Sequence, residues 1–220
     1  MAAPLDKLFT RELERNDEVV VKISQSEIGD VGCVVWDAAI VLSKYLETSD
    51  FDGGKSWTGK KVVELGAGTG VVGIFAASYG ADVIITDLPE FVPLMDLNIK
   101  ENSQIISGSA EACTLTWGQD RSTKFDHIDF IILADCIYYD ESLEPLVSTI
   151  TELSDMATTV LCCYEQRDTG NKLELEKKFF QLIRESFDVF EIPQEKQDPH
   201  FRSEDIHIFR FTKKQSADAT

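Results

Sequence analysis

The chain has 220 residues and 39 acidic against 21 basic side chains, a formal net charge of −18. A hydrophobic fraction of 43% and a mean hydropathy of −0.11 exclude a disordered chain and fit one globular domain with a full core. The acids are spread over both halves, which excludes nucleic acid and an anionic membrane surface as partners.

No apolar run approaches the ~20 residues of a membrane span. Residues 1–7 hold no apolar stretch of the signal-peptide kind. The five cysteines are odd in number and form no CxxC or Cys/His cluster. Neither a disulfide framework nor a metal site is expected, and a reducing, cytoplasmic setting is.

In chain order, residues 1–30 are a polar N-terminal extension with a short β-rich piece at 19–23, which suggests a hairpin and no second domain. Apolar residues at helical spacing predict a helix over 36–47. A glycine-containing loop at 51–59 follows. The pattern then alternates. Strands are expected at 61–65, 82–86, 112–116, 129–134 and 158–164, and helices at 71–79, 89–102, 141–155 and 171–186. Two last strands at 187–192 and 206–212 are joined by a Pro-containing polar loop, which predicts an antiparallel pair. Such alternation means an α/β fold with a mainly parallel sheet, and ligands bind at the carboxyl ends of its strands.

The first strand of the alternating part runs into Gly66-Ala67-Gly68-Thr69-Gly70. The G-x-G-x-x-G dinucleotide fingerprint starting at Gly66 needs Gly at 71, where Val71 stands, and no Gly-Lys-Ser/Thr of a P-loop follows. No Lys or Arg occurs from Val62 to Ile99, so nothing in this unit neutralises phosphate. A glycine loop beside Glu64 without basic residues fits an uncharged or cationic ligand such as S-adenosylmethionine. Asp87, at the end of the second of these strands, is placed either to bind a ribose or to cap the following helix. Trp117 flanks an adenine or sits in the core.

After 129–134 the chain reads Asp135-Cys136-Ile137-Tyr138. An aspartate leaving a buried central strand suits the reacting end of a ligand. Segments 62–99 and 125–166 hold 5 and 9 acids and no Lys or Arg, so most of the net −18 surrounds these two sites. A cationic methyl acceptor such as a lysine ammonium is attracted there.

Together, Glu64 to Gly70, Thr86-Asp87, Trp117-Gly118 and Asp135-Cys136-Ile137-Tyr138 resemble the seven-β-strand protein-lysine methyltransferases of the methyltransferase-like 21 family. The resemblance spans about 31–212. It implies a Rossmann-like seven-stranded α/β sheet, mainly parallel with an antiparallel C-terminal strand, and helices on both faces. A methyltransferase domain would cover 31–214, followed by a polar tail at 215–220. It further implies S-adenosyl-L-methionine as cofactor. Trp36, Glu64, Gly66, Ala67, Gly68, Asp87, Trp117 and Ala134 would hold it, and Asp135 with Tyr138 would line the acceptor site. Stretches at 31–39, 138–146, 162–167 and 202–208 are similar to the branch acting on the AAA ATPase valosin-containing protein. That branch methylates one lysine of the ATPase, up to the trimethylated form, and a monomer is expected. The rival readings are a Rossmann oxidoreductase, a non-catalytic cofactor-binding module, a small-molecule or (against the net charge) nucleic-acid methyltransferase, and a lysine methyltransferase for another chaperone or translation factor.

Overall fold

The computed structural model describes residues 7–119 and 126–215. The opening residues and nearly all of the polar tail lie outside them. An N-terminal hairpin is formed by β1 (Leu8–Glu14) and β2 (Val20–Ser26). Then come α1 (Asp37–Tyr45), β3 (Lys61–Leu65), α2 (Val71–Ser78), β4 (Asp82–Asp87), α3 (Val92–Glu101), β5 (Ser109–Thr114), β6 (Phe130–Ala134), α4 (Asp140–Leu153), β7 (Thr159–Glu165), α5 (Lys172–Ser186), β8 (Phe187–Glu191) and β9 (Ile206–Lys213).

Seven strands make one sheet in the order β5-β4-β3-β6-β7-β9-β8. The pairs β3–β4, β4–β5, β3–β6 and β6–β7 are parallel. Strand β9 runs antiparallel between β7 and β8. The strand order reverses at β3, between β4 and β6, and a ligand crevice opens at such a point.

Alternation along the central strands builds two cores. In β6, Ile132 faces the layer of α1 and α2, while Ile131 and Leu133 face the layer of α4 and α5. Val62 and Val63 of β3 divide the same way. Successive side chains of a strand point to opposite faces, so a strand between two helix layers must be apolar throughout. That is why 130–134 reads as an unbroken apolar run.

The N-terminal hairpin is stitched to α3. Asn98 accepts from the Ser24 N–H at 2.7 Å and donates to the Ser24 carbonyl at 3.0 Å. One turn on, Asn102 accepts from the Lys22 N–H at 3.0 Å and donates to the Lys22 carbonyl at 2.7 Å. Two asparagine amides thus satisfy the free edge of β2, as a neighbouring strand would.

Two elements differ from their sequence expectation. Strand β5 begins at Ser109, not 112, because its register is set by pairing with β4 from Asp82 to Asp87 and not by its own weak apolarity. Helix α3 begins at Val92, not 89, with Phe91 at its cap and Pro93 in its first turn. The hairpin expected in the N-terminal extension is present, and its strand β1 is mostly half-exposed or exposed.

Candidate active site

The crevice begins with the turn after β3. Gly66 and Gly68 adopt φ of +61° and +54°, the left-handed region that side chains disfavour. A Cβ on Gly66 would lie 2.7 Å from Cys136 Sγ and 2.8 Å from Trp117 Cζ2. A Cβ on Gly68 would lie 2.5 Å from the Gly32 carbonyl oxygen. The Ala67 N–H donates to the Thr86 carbonyl at 3.0 Å, tying the loop to β4.

Two acids frame this loop. Glu64 is buried, and its Oε2 accepts from the Gly73 N–H at 2.9 Å. Burial pushes its carboxyl up to about 8 despite that bond. Asp87 accepts from the N–H groups of Gly68 and Leu88, both at 2.7 Å. Burial raises it to about 6, with those bonds opposing. Asp87 is not the cap of α3, because that helix starts at Val92 and Phe91 occupies its cap. Trp117 belongs both to the core and to the crevice wall. Its ring packs on the α4–α5 core layer, and its edge lines the crevice over Gly66.

The other end is built by the turn after β6. Ala134 is the last residue of β6. Asp135 then adopts φ +54°, unusual for a residue with a side chain. Its Oδ1 accepts from the Glu165 N–H at 2.9 Å, and Arg167 Nη2 lies 3.4 Å from its Oδ2. Burial holds this carboxyl above the usual range, while the Glu165 N–H and the Arg167 charge pull it down. Tyr138 stands against Tyr139 with ring centroids 4.5 Å apart, and its carbonyl accepts from Lys172 Nζ at 2.8 Å. Burial raises its hydroxyl pKa. Trp36 precedes α1, and its Nε1 donates to the Val31 carbonyl at 2.8 Å.

Trp36, Glu64, Gly66, Ala67, Gly68, Asp87, Trp117, Ala134, Asp135 and Tyr138 all line a single cavity of about 470 Å³. Arg167, Lys172 and Gly32 line it as well. The segment 125–166 holds no base along the chain, but the cavity does, because Arg167 and Lys172 reach it from beyond the end of β7 and the start of α5. The Arg167–Glu165 pair has a local signal, two residues apart, whereas the approach to Asp135 has none. Among the described residues no group of His, Cys, Asp and Glu side chains is arranged to hold a metal. No helix among them is long and apolar enough to cross a membrane.

A family model described as "Lysine methyltransferase" matches residues 15–186. The chain is 36% identical over 189 residues to protein N-lysine methyltransferase METTL21A of Danio rerio, covering 84% of this chain and 79% of that protein. It is 31% identical over 186 residues to EEF1A lysine methyltransferase 3 of Xenopus tropicalis, covering 84% and 77%. Among solved structures, magnesium protoporphyrin IX methyltransferase from Synechocystis PCC 6803 with bound SAM superposes with a TM-score of 0.54 at 17% identity, covering 79% of this chain and 76% of that one. At that identity the likeness concerns the fold alone.

Proposed function

The chain belongs to the lysine methyltransferase family, and from that premise we propose that it methylates a lysine side chain of a protein with S-adenosyl-L-methionine as donor. The observation that carries the reading is the convergence of the glycine loop, Asp87, Asp135 and Tyr138 on one cavity.

The residues present suit this cofactor. The backbone of Gly66 and Gly68 is open because side chains there would strike Trp117, Cys136 and the Gly32 carbonyl. The loop and the helix after it contain no basic residue, as a ligand without phosphate requires. Glu64, Gly66, Ala67, Gly68, Asp87, Trp117, Ala134 and Trp36 would hold it. When bound, it supplies a methyl group activated on a sulfonium.

The chain's own part at the acceptor end is capture and orientation. Asp135 attracts and aims the ammonium. Tyr138 narrows the opening around it, and aromatic faces tolerate an amine that loses N–H donors as it is methylated.

The finer reading is that the acceptor is a lysine of the AAA ATPase valosin-containing protein, trimethylated, by a monomeric cytoplasmic enzyme. It is supported by the likeness at 31–39, 138–146, 162–167 and 202–208. In the same reading 31–214 is the methyltransferase domain, 1–30 an extension and 215–220 a tail. The second reading is a translation factor, favoured by the name of the Xenopus relative, which carries EEF1A. Isotope-labelled S-adenosylmethionine added to lysate, with mass spectrometry of the labelled band, tests both. Label on a lysine of the ATPase supports the first, and label on EEF1A the second. Label on no lysine overturns the proposal.

A further inference from the structure

Asp135 raises a problem that it does not solve. A carboxylate beside an amine raises the amine's pKa, and free lysine already titrates near ~10.4. Asp135 alone would hold the acceptor as an ammonium, which has no lone pair to attack with. Glu165 lines the same cavity and adds a second negative charge.

Arg167 is placed to offset one of these two charges. Its Nη2 and Nε lie 2.7 and 3.2 Å from Glu165 Oε2, and the same Nη2 lies 3.4 Å from Asp135 Oδ2. The guanidinium carbon stands 5.1 Å from the Trp36 ring centroid. Two contacts hold it on Glu165 and one longer contact reaches Asp135, so it stands beside that carboxylate without covering it. A carboxylate oxygen accepts more than one donor, which leaves Asp135 able to receive a second cation while Arg167 stays in place.

We propose that Arg167 is a positioning residue whose fixed charge partly offsets Asp135 and Glu165, so that a lysine held at Asp135 sheds its proton at a lower pH than it would without the guanidinium. The inference rests on the lysine-transfer reading above. With Arg167 present, the departing proton leaves a local charge of −1; without it, −2. The proton goes to solvent. The freed nitrogen lone pair then forms the N–C bond as the carbon–sulfur bond breaks, with its electron pair left on sulfur.

Other charged groups face this corner. They are Asp30 and Asp37 before and at the start of α1, Glu141 of α4, and Lys172 and Glu176 of α5. Glu64 and Asp87 lie across the cavity. A groove on the outer side of Glu165 adds Arg11, His200 and Asp205. All remain when Arg167 alone is changed, so the difference between variants isolates its charge.

The test compares full-length wild type with Arg167→Gln and Arg167→Lys, using heat-treated cell lysate as acceptor and labelled S-adenosylmethionine as donor from pH 6 to 10. The rise of transfer rate with pH should move about one pH unit upward in Arg167→Gln, about tenfold slower at neutral pH, and return in Arg167→Lys. That is the scale of one partly screened charge a few ångströms away. A second measurement needs no turnover. The ¹³C titration of the Asp135 carboxyl, assigned with Asp135→Asn, should shift to higher pH in Arg167→Gln and recover in Arg167→Lys. Superimposable rate profiles, or an equal loss at every pH, overturn the inference while lysine labelling by the wild type leaves the function intact. No lysine label with the wild type overturns both.

Discussion

The carboxylate of Asp87, at the end of β4, accepts the backbone N–H of Gly68 in the loop after β3 at 2.7 Å. One acid therefore shapes the glycine loop that it also faces. Replacing Asp87 by Ala removes a hydrogen bond to a charged group, worth roughly 1.5–3 kcal/mol. Affinity for S-adenosylmethionine should fall about 10- to 100-fold by calorimetry with the fold retained. Because burial sets this carboxyl at about 6, affinity of the wild type should also weaken as pH drops below 6 and the group takes up a proton.

Glu64 makes a stability prediction whose sign follows from its raised pKa. It titrates at about 8 in the fold against an ordinary value of 4.5. Between those values the native state holds a proton that the unfolded chain has lost. Its contribution is therefore full below 4.5 and is lost as pH rises toward 8. Glu64→Gln keeps an acceptor for the Gly73 N–H and has no charge to bury. Thermal melts should show a flatter pH dependence between 5 and 8 than the wild type, and a higher midpoint at pH 8.

Gly68→Ala puts a methyl group 2.5 Å from the Gly32 carbonyl oxygen at φ +54°. The strain and the displaced backbone should lower stability by about 1–3 kcal/mol in urea titration. Cofactor binding should fall below detection, since the turn itself is displaced. Binding at wild-type affinity would show that the loop does not hold the ligand.

Asp135→Ala should abolish transfer and leave cofactor affinity within about threefold of wild type. Its carboxylate contacts the Glu165 N–H and Arg167 but neither Gly66 nor Gly68. Single-turnover transfer and calorimetry on the same preparation read the two effects separately. Unchanged turnover would remove Asp135 from the acceptor site.

Asn98 is fully buried and bonds Ser24 on both backbone groups, as well as the Thr69 carbonyl at 2.9 Å. Asn98→Ala leaves those three backbone groups unpaired, at roughly 1–3 kcal/mol for each that finds no water. Stability should drop by several kcal/mol. Hydrogen exchange should accelerate at β2 and at the turn following Gly68, because one side chain serves both.

Legibility in the sequence followed the range of the interactions. Strand β3 and helix α2 were readable because their signals are local, an apolar run into glycines and then a stop at Gly80. The register of β5 was not, since β4 imposes it. Asn98 and Asn102 look like ordinary helix-surface residues until β2 is seen lying against them.

The chain by itself determined the alternating fold, the glycine turn, the acid that ends β4 and the acid that follows β6, because each is encoded within a few neighbouring residues. Only the tertiary structure decided the charge around Asp135. Arg167 and Asp135 are 32 residues apart, and the parallel pairing of β6 with β7 brings their side chains to 3.4 Å. Coulomb energy depends on distance through space and on burial, not on separation along the chain. A segment of 9 acids without one base thus contributes Asp135, Glu141 and Glu165 to a cavity whose lining also holds a guanidinium.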